Sequence, residues 1–154
     1  MADFAYTYGL LKIGLGDVHW DTDDIRLILV MTNTTADTER DKTFIDQFTT
    51  LDEFDGGGSH PPAFGSREAL ANQAMAVDEA NDRAEFDADD HTVSSIPAGT
   101  RAIQGIIVYL HVTNDAASVP LLWIDTGGFP FTANGGNLVL SWNAEGIGQI
   151  TSAG

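Results

Sequence analysis

The sequence predicts a mainly β protein: an antiparallel β-sandwich or jelly-roll-like body with one or two short helices in its N-terminal third. Three observations carry that expectation. Ile25–Met31 and Arg101–Val112 are dense in β-branched and large aliphatic residues. From Asn81 to Ile150, short apolar runs alternate with turns rich in Asp, Asn and Gly. The chain has 154 residues, of which 43% are hydrophobic and 19% charged, the usage of one ordinary globular domain. The expected organisation is therefore a single β-sandwich domain over 1–154.

Taken in order, Phe4–Leu15 is apolar on several sides and reads as a short helix, with Asp3 as N-cap and the Gly14–Gly16 region as its end. Gly9 inside it argues against a helix. Ile25–Met31 reads as a largely buried strand. Thr43–Phe54 places Phe44, Ile45, Phe48, Leu51 and Phe54 near helical spacing, so an amphipathic helix or a loop pinned by aromatic anchors is expected. Residues 55–66 (DGGGSHPPAFGS) break any regular element and read as a flexible Gly/Pro loop. Glu68–Val77 reads as an imperfect strand, with a helix as the competitor because Ala, Leu, Gln and Met favour one.

Asp78–Asp82 is turn chemistry. Short strands are expected at Arg83–Phe86 and His91–Ser95, and the strongest at Arg101–Val112, where Gly105 signals a bulge or a close backbone approach. Pro120 opens a strand running through Leu121–Ile124, Asn134–Asn137 turns, and Leu138–Trp142 alternates cleanly. Trp123 and Trp142 are expected in the core, and Trp20 either partly exposed or packed over a strand end.

Charge narrows the function classes. Seven Lys and Arg stand against 23 Asp and Glu, a formal net charge of −16. That balance argues against nucleic acid, which needs a basic face, and against anionic membranes. The absence of cysteine excludes disulfides, thiolate catalysis and thiolate-bound metal. The first residues lack a basic, apolar leader pattern, and no run approaches the roughly 20 apolar residues of a membrane span. A protein folded in a cytosol and kept in solution is expected.

Candidate chemistry is thin. Asp21, Asp23 and Asp24 form one acidic cluster and Asp87, Asp89 and Asp90 another, the oxygen-rich pattern that hard divalent cations take. A calcium loop counted from Asp87 fails, because its sixth and twelfth positions hold Thr92 and Ala98. Aspartates at turns cap backbone amides more often than they bind metal. His19, His60, His91 and His111 have no metal-ligand spacing, and no nucleophile elbow or phosphate loop is present. Glu85 and Asp87 share a strand face and have the residue types of an acid–base pair, but pairs of that kind arise by chance in so acidic a chain. No catalytic residue, cofactor or metal is expected.

Three blocks carry a resemblance: GDVHWDTDDIRLILV from Gly16, DEANDRAEFDADDHTVSSIPAGTRAIQGIIVYLHV from Asp78, and VPLLWIDTGGFPFTANGGNLVLSWNAEGI from Val119. In spacing and turn chemistry the chain resembles small β-rich structural proteins of tailed bacteriophages and prophages, which serve as head decoration (cement) or tail-associated proteins. The resemblance implies a virion structural protein, most directly a capsid decoration protein that stabilises the head from outside. A tail- or fibre-associated module binding virion proteins or host surface glycans is the alternative. It implies the major capsid protein and further copies of the chain, as a homodimer or homotrimer, as partners. Aromatic anchors at the chain's edges are the candidate contacts: Phe4, Tyr6 and Tyr8 in the N-terminal arm, Phe64 in the Gly/Pro loop, and Phe129, Pro130 and Phe131. The arm Met1–Phe4 is expected to be mobile.

Overall fold

The computed structural model describes residues 3–54, 67–99 and 101–152. It is mainly β, with antiparallel sheets. The elements are β1 (Phe4–Ala5), α1 (Thr7–Leu15), β2 (Ile25–Met31), β3 (Ala74–Asp78), β4 (Arg83–Asp87), β5 (His91–Val93), β6 (Ile103–Leu110), β7 (Val119–Ile124), β8 (Leu138–Leu140) and β9 (Gly148–Thr151), plus one 3₁₀ turn at Ile45–Gln47. The strands group into three sheets, ordered β1-β7-β6-β2, β3-β4-β9 and β5-β8. Among the described residues, no helix is long and apolar enough to cross a membrane.

The four-stranded sheet is buried on both faces, which is why its central strands are nearly continuous apolar runs. One face carries Ile25, Leu27 and Leu29 of β2 opposite Ile106 and Val108 of β6. It packs on Trp20, Phe86, Val93 and Leu140 from outside the sheet. The other face carries Ile28, Val30, Ile107, Tyr109 and Trp123, closed by Tyr6, Ala36, Ile45 and Phe48. Gly105 lets that second face close. A Cβ there would lie 2.6 Å from the Ile124 carbonyl and 2.7 Å from the Trp123 ring. The β2–β6 register shifts between Val30 and Met31, next to this glycine, so a bulge and a close approach coexist. A second shift, between Val108 and Tyr109, accommodates Pro120.

The N-terminal helix begins later than its apolar pattern suggests. Phe4 and Ala5 pair with Trp123 and Leu122 as β1, so α1 starts at Thr7 and Tyr6 is its N-cap. Asp3 is not a helix cap. Its carboxylate instead accepts hydrogen bonds from the amides of Asp125 (2.9 Å) and Thr126 (3.2 Å) and from the Thr126 hydroxyl (2.7 Å). Asp3 and Phe4 are thus fastened to the sheet rather than free, and Met1 and Ala2 lie outside the described residues. Gly16, at φ 74°, ends the helix: its amide and that of Asp17 reach back to Ile13 and Lys12.

Thr43–Phe54 is not a helix beyond the single turn Ile45–Gln47. Its threonines find better partners across the chain: the Thr35 amide donates to the Thr50 carbonyl (2.9 Å), and the Thr50 amide to the Thr35 hydroxyl (2.9 Å). The Glu39 carboxylate accepts from the Thr49 amide at 2.8 Å. Burial alone raises the Glu39 carboxyl, yet hydrogen bonds from Thr35, Thr49 and Lys42 outweigh it and hold the group down at about 2. The stability carried by this group is therefore present above the ordinary carboxylate range and lost as pH falls toward about 2. The aromatic anchors do sit in the core, with Ile45, Phe48 and Phe54 buried. Residues 52–54 then lie along β2, where the Met31 amide donates to Asp52 and the Phe54 amide to Leu29.

Glu68–Val77 is not a helix either. Ala69 bridges to Arg26, and only Ala74–Asp78 forms a strand, in a hairpin with β4. Of the two readings for Trp20 the packed one holds: it is 2% exposed, its indole N–H donates to the Asp87 carbonyl (2.8 Å) and its ring meets Phe86 edge-on. Trp123 is in the core as expected, while Trp142 is only half-buried. The last strand, β9, follows Gly146 and adds to the β3–β4 hairpin.

Gly9 and Gly14 occupy the same helix in opposite circumstances. A Cβ at Gly9 would lie 2.6 Å from the Pro120 carbonyl of β7, whereas one at Gly14 meets nothing within 4 Å. Gly9→Ala is expected to destabilise by about 1–3 kcal/mol through overpacking against backbone. Gly14→Ala is expected to stabilise by about 0.5–1 kcal/mol through helix propensity. Urea unfolding of the two single variants measures both, and equal effects would show that α1 does not press on β7 as described.

Candidate functional site

A cleft of about 930 Å³ opens where the smaller sheets stop short of the β1–β7 edge. Its floor is Leu122 and Ile124 of β7 with Ile106 of β6, one continuous face of the large sheet. Gly127 (φ 75°) and Gly128 (φ 125°) turn the chain out of β7 in conformations that favour glycine. Phe131 then returns to exchange two hydrogen bonds with Ile103, of 2.7 and 3.1 Å. That return sets Phe129 and Phe131 side by side, half-buried, with ring centres 5.5 Å apart and planes tilted by 45°. The opposite wall is β8 and the segment through Trp142 to Gln149. Trp142 is held there by two bonds to the acidic corner: its amide donates to the Asp90 carboxylate (3.0 Å) and its indole N–H to the Asp89 carbonyl (2.9 Å).

The lining mixes rings with uncharged polar groups. Thr126, Ser141, Asn143 and Gln149 contribute to it, and among the described lining residues Asp3 alone is charged. Gly127 and Gly128 expose bare backbone, with nothing within 4 Å of where a Cβ would stand.

The candidate anchors divide on this map. Phe4, Phe129 and Phe131 all border the cleft, and Pro130 is exposed on the same turn. Phe4 borders it with its ring committed elsewhere, 5.1 Å from Tyr6 and 4.1 Å beneath the Arg40 guanidinium. Tyr6 is not available as an anchor: it is fully buried, and its hydroxyl donates to the Ala36 carbonyl at 2.8 Å. Tyr8 lies on α1 against Phe44 (5.9 Å), with the Lys12 ammonium over its ring. Phe64 falls outside the described residues, as does the whole loop 55–66 and with it His60. Sequence reasoning missed Trp142, Asn143 and Gln149 as lining residues. The signal was available in the tight SWNAEG turn, where the Asn143 side chain accepts from the Glu145 amide (3.1 Å) and fixes the wall.

The acidic clusters act as turn fasteners. The Asp23 carboxylate accepts from the His19 amide at 2.7 Å, Asp24 grips Arg26 through two bonds, and Asp89 accepts from the Asn72 amide group at 2.5 Å. No group of three His, Asp or Glu side chains among the described residues converges as metal ligands would. Glu85 is drawn off by Arg83 at 3.0 Å. His19 stands 3.7 Å from Asp23 and His91 2.7 Å from Glu68, while the His111 amide donates to the Asp24 carbonyl; none of the three lines the cleft. No family model, curated protein or solved structure matches the chain.

Beside the cleft, β7 runs into Asp125, which is 7% exposed and whose two carboxylate oxygens accept no hydrogen bond. Burial, and beyond it the charge of Asp125, pushes the neighbouring Asp37 carboxyl up. The folded protein holds that proton more tightly than the unfolded chain does, so stability falls as pH rises through the Asp37 titration. Asp37→Asn is expected to raise the melting temperature near neutral pH and to leave it unchanged at about pH 3, where the carboxyl is protonated in both states. A melting series across that range checks the sign; a variant less stable at neutral pH would contradict it.

Proposed function

We propose that the protein is a virion structural protein of a tailed phage, most directly a capsid decoration protein that sits on the outer surface of the head. The observation that carries this reading is the sheet β3-β4-β9. Met75, Phe86 and Gly148 share one face with Val77, Ala84 and Ile150. Phe86 is buried in the core, but the same face runs on into solvent, where Met75 is 53%, Val77 76% and Ile150 46% exposed. An apolar row in open solvent on an acidic molecule suits a docking face. Leu10, Leu11 and Leu15 form a second exposed apolar group on α1, suited to contact between copies in a dimer or trimer.

The ionic arrangement supports contacts with protein over contacts with phosphate. Lys12, Arg26, Lys42, Arg67, Arg83 and Arg101 are each paired with a carboxylate, and Arg40 lies over Phe4. All seven basic side chains of the chain are engaged in this way, which suits a surface that keeps free copies apart and avoids nucleic acid and anionic membrane. The three sheets are read together as an open sandwich, with the smaller pair facing part of the larger. The cleft favours the second reading, a tail- or fibre-associated module that meets host surface glycans.

Position and copy number in intact particles decide between the two. Many copies spread over the head are expected, and a few confined to one vertex or along the tail would overturn the decoration reading. In a binding assay with purified heads, Val77→Asp is expected to abolish co-sedimentation while costing about 1 kcal/mol of stability, the β-propensity difference at an exposed strand position. Full binding by that variant would remove the β3-β4-β9 face as the docking surface.

A further inference from the structure

We propose that the cleft between β7 and strands β8 and β9 is a binding site for a neutral saccharide. The inference rests on the lining, not on where in a particle the protein resides. At about 930 Å³ the cleft falls at the upper end of the size range of ligand sites, which run from roughly 300 to 1,000 Å³. Its chemistry then selects among occupants. Neither Lys, Arg nor His is among the described lining residues, so an anion would find no countercharge, and the net charge of −16 repels one further. A purely apolar ligand would strip water from Thr126, Ser141, Asn143 and Gln149 with nothing to replace it. A sugar satisfies both halves of the surface. Its hydroxyls replace water on those polar groups, and its weakly positive C–H faces stack on the negative faces of aromatic rings.

The parts are already placed for that. Phe129 and Phe131 stand half-buried on one wall, tilted rather than stacked, so neither ring closes off the other. Trp142 stands on the facing wall, its indole N–H and its backbone amide both occupied by the Asp89–Asp90 corner. The ring is therefore held in position before any ligand arrives, which lowers the ordering cost of binding. The Asp3 carboxylate, fixed by three hydrogen bonds from Asp125 and Thr126, remains an acceptor at the mouth. Gly127 and Gly128 leave their backbone uncovered on the same rim.

Titration calorimetry and saturation-transfer NMR of the full chain against maltohexaose, cellohexaose, mannohexaose and chitohexaose test the site, with sialyllactose as the anionic control. Saturable binding of at least one neutral oligomer is expected, with none of sialyllactose. Trp142→Ala is expected to weaken binding by about tenfold or more. Because Trp142 also packs on the core, Val139→Arg provides a second variant: Val139 lines the cleft at an exposed position, and an arginine there lies across the opening without removing a buried contact. Three results would overturn the proposal: no neutral oligomer binding the folded protein, binding unaffected by both variants, or capture of an extended apolar peptide by the cleft with no sugar bound.

Discussion

The pairing of β2 with β6 is the contact on which the other elements depend. Those two strands match over seven residue pairs from Ile25↔Leu110 to Met31↔Ile103, and both of their faces are covered. A sheet buried on two sides cannot be completed by its own strands, so other described segments serve as covers for its faces. Tyr6, Ala36, Ile45 and Phe48 close one side; Trp20, together with Phe86, Val93 and Leu140 of the small sheets, closes the other. The cleft is what remains where the second cover runs out, over Leu122 and Ile124. In that sense the candidate site is a consequence of unequal coverage: the apolar face that packs into the core elsewhere floors an open cleft at Leu122 and Ile124.

Most of this could be read in the sequence where one local force dominates. Ile25–Met31 and Arg101–Val112 are so rich in β-forming residues that no tertiary contact was needed to locate β2 and β6, and Gly105 announced the crowding at Trp123. The αL residue Gly16 ended α1 where the glycine pattern placed it. The failures came where distant partners outbid local preference. Thr43–Phe54 has helical spacing, but Thr35, Glu39 and Leu29 offer its backbone hydrogen bonds from outside the segment. Phe4 and Ala5 look helical until β7 supplies an edge to pair with. The choice between an exposed and a packed Trp20 stayed open in the sequence, because the carbonyl that satisfies its indole belongs to Asp87, 67 residues away.

The cleft itself was half legible. Phe129 and Phe131 stood out because a Gly-bounded aromatic pair around a proline is locally unusual, and they do line it. Trp142 was assigned to the core, and it does pack against it half-buried, but β8 ends at Leu140 and the residue also lines the cleft wall. Tyr6 shows the opposite error. A tyrosine in an N-terminal arm has the residue type of an anchor, but a hydrogen bond to Ala36 lets it be buried whole. Residue type alone does not separate interface from core; the location of the partner for each polar tip does.

The exposed rim of the β3-β4-β9 sheet has a further consequence. Among the described residues β3 and β9 are each paired on one side, so each offers unpaired backbone groups along an apolar row. That combination is the usual template for uncontrolled strand addition between copies. The hairpin carries its own protection at the tip: Asp78, Glu79 and Asp82 gather around the turn, and Arg83 offsets them in part. Like charges brought edge to edge repel, so these carboxylates oppose the approach of a second copy along the hairpin. A strip of surface suited to docking is equally suited to aggregation, and the acidic end of the hairpin weighs against the second.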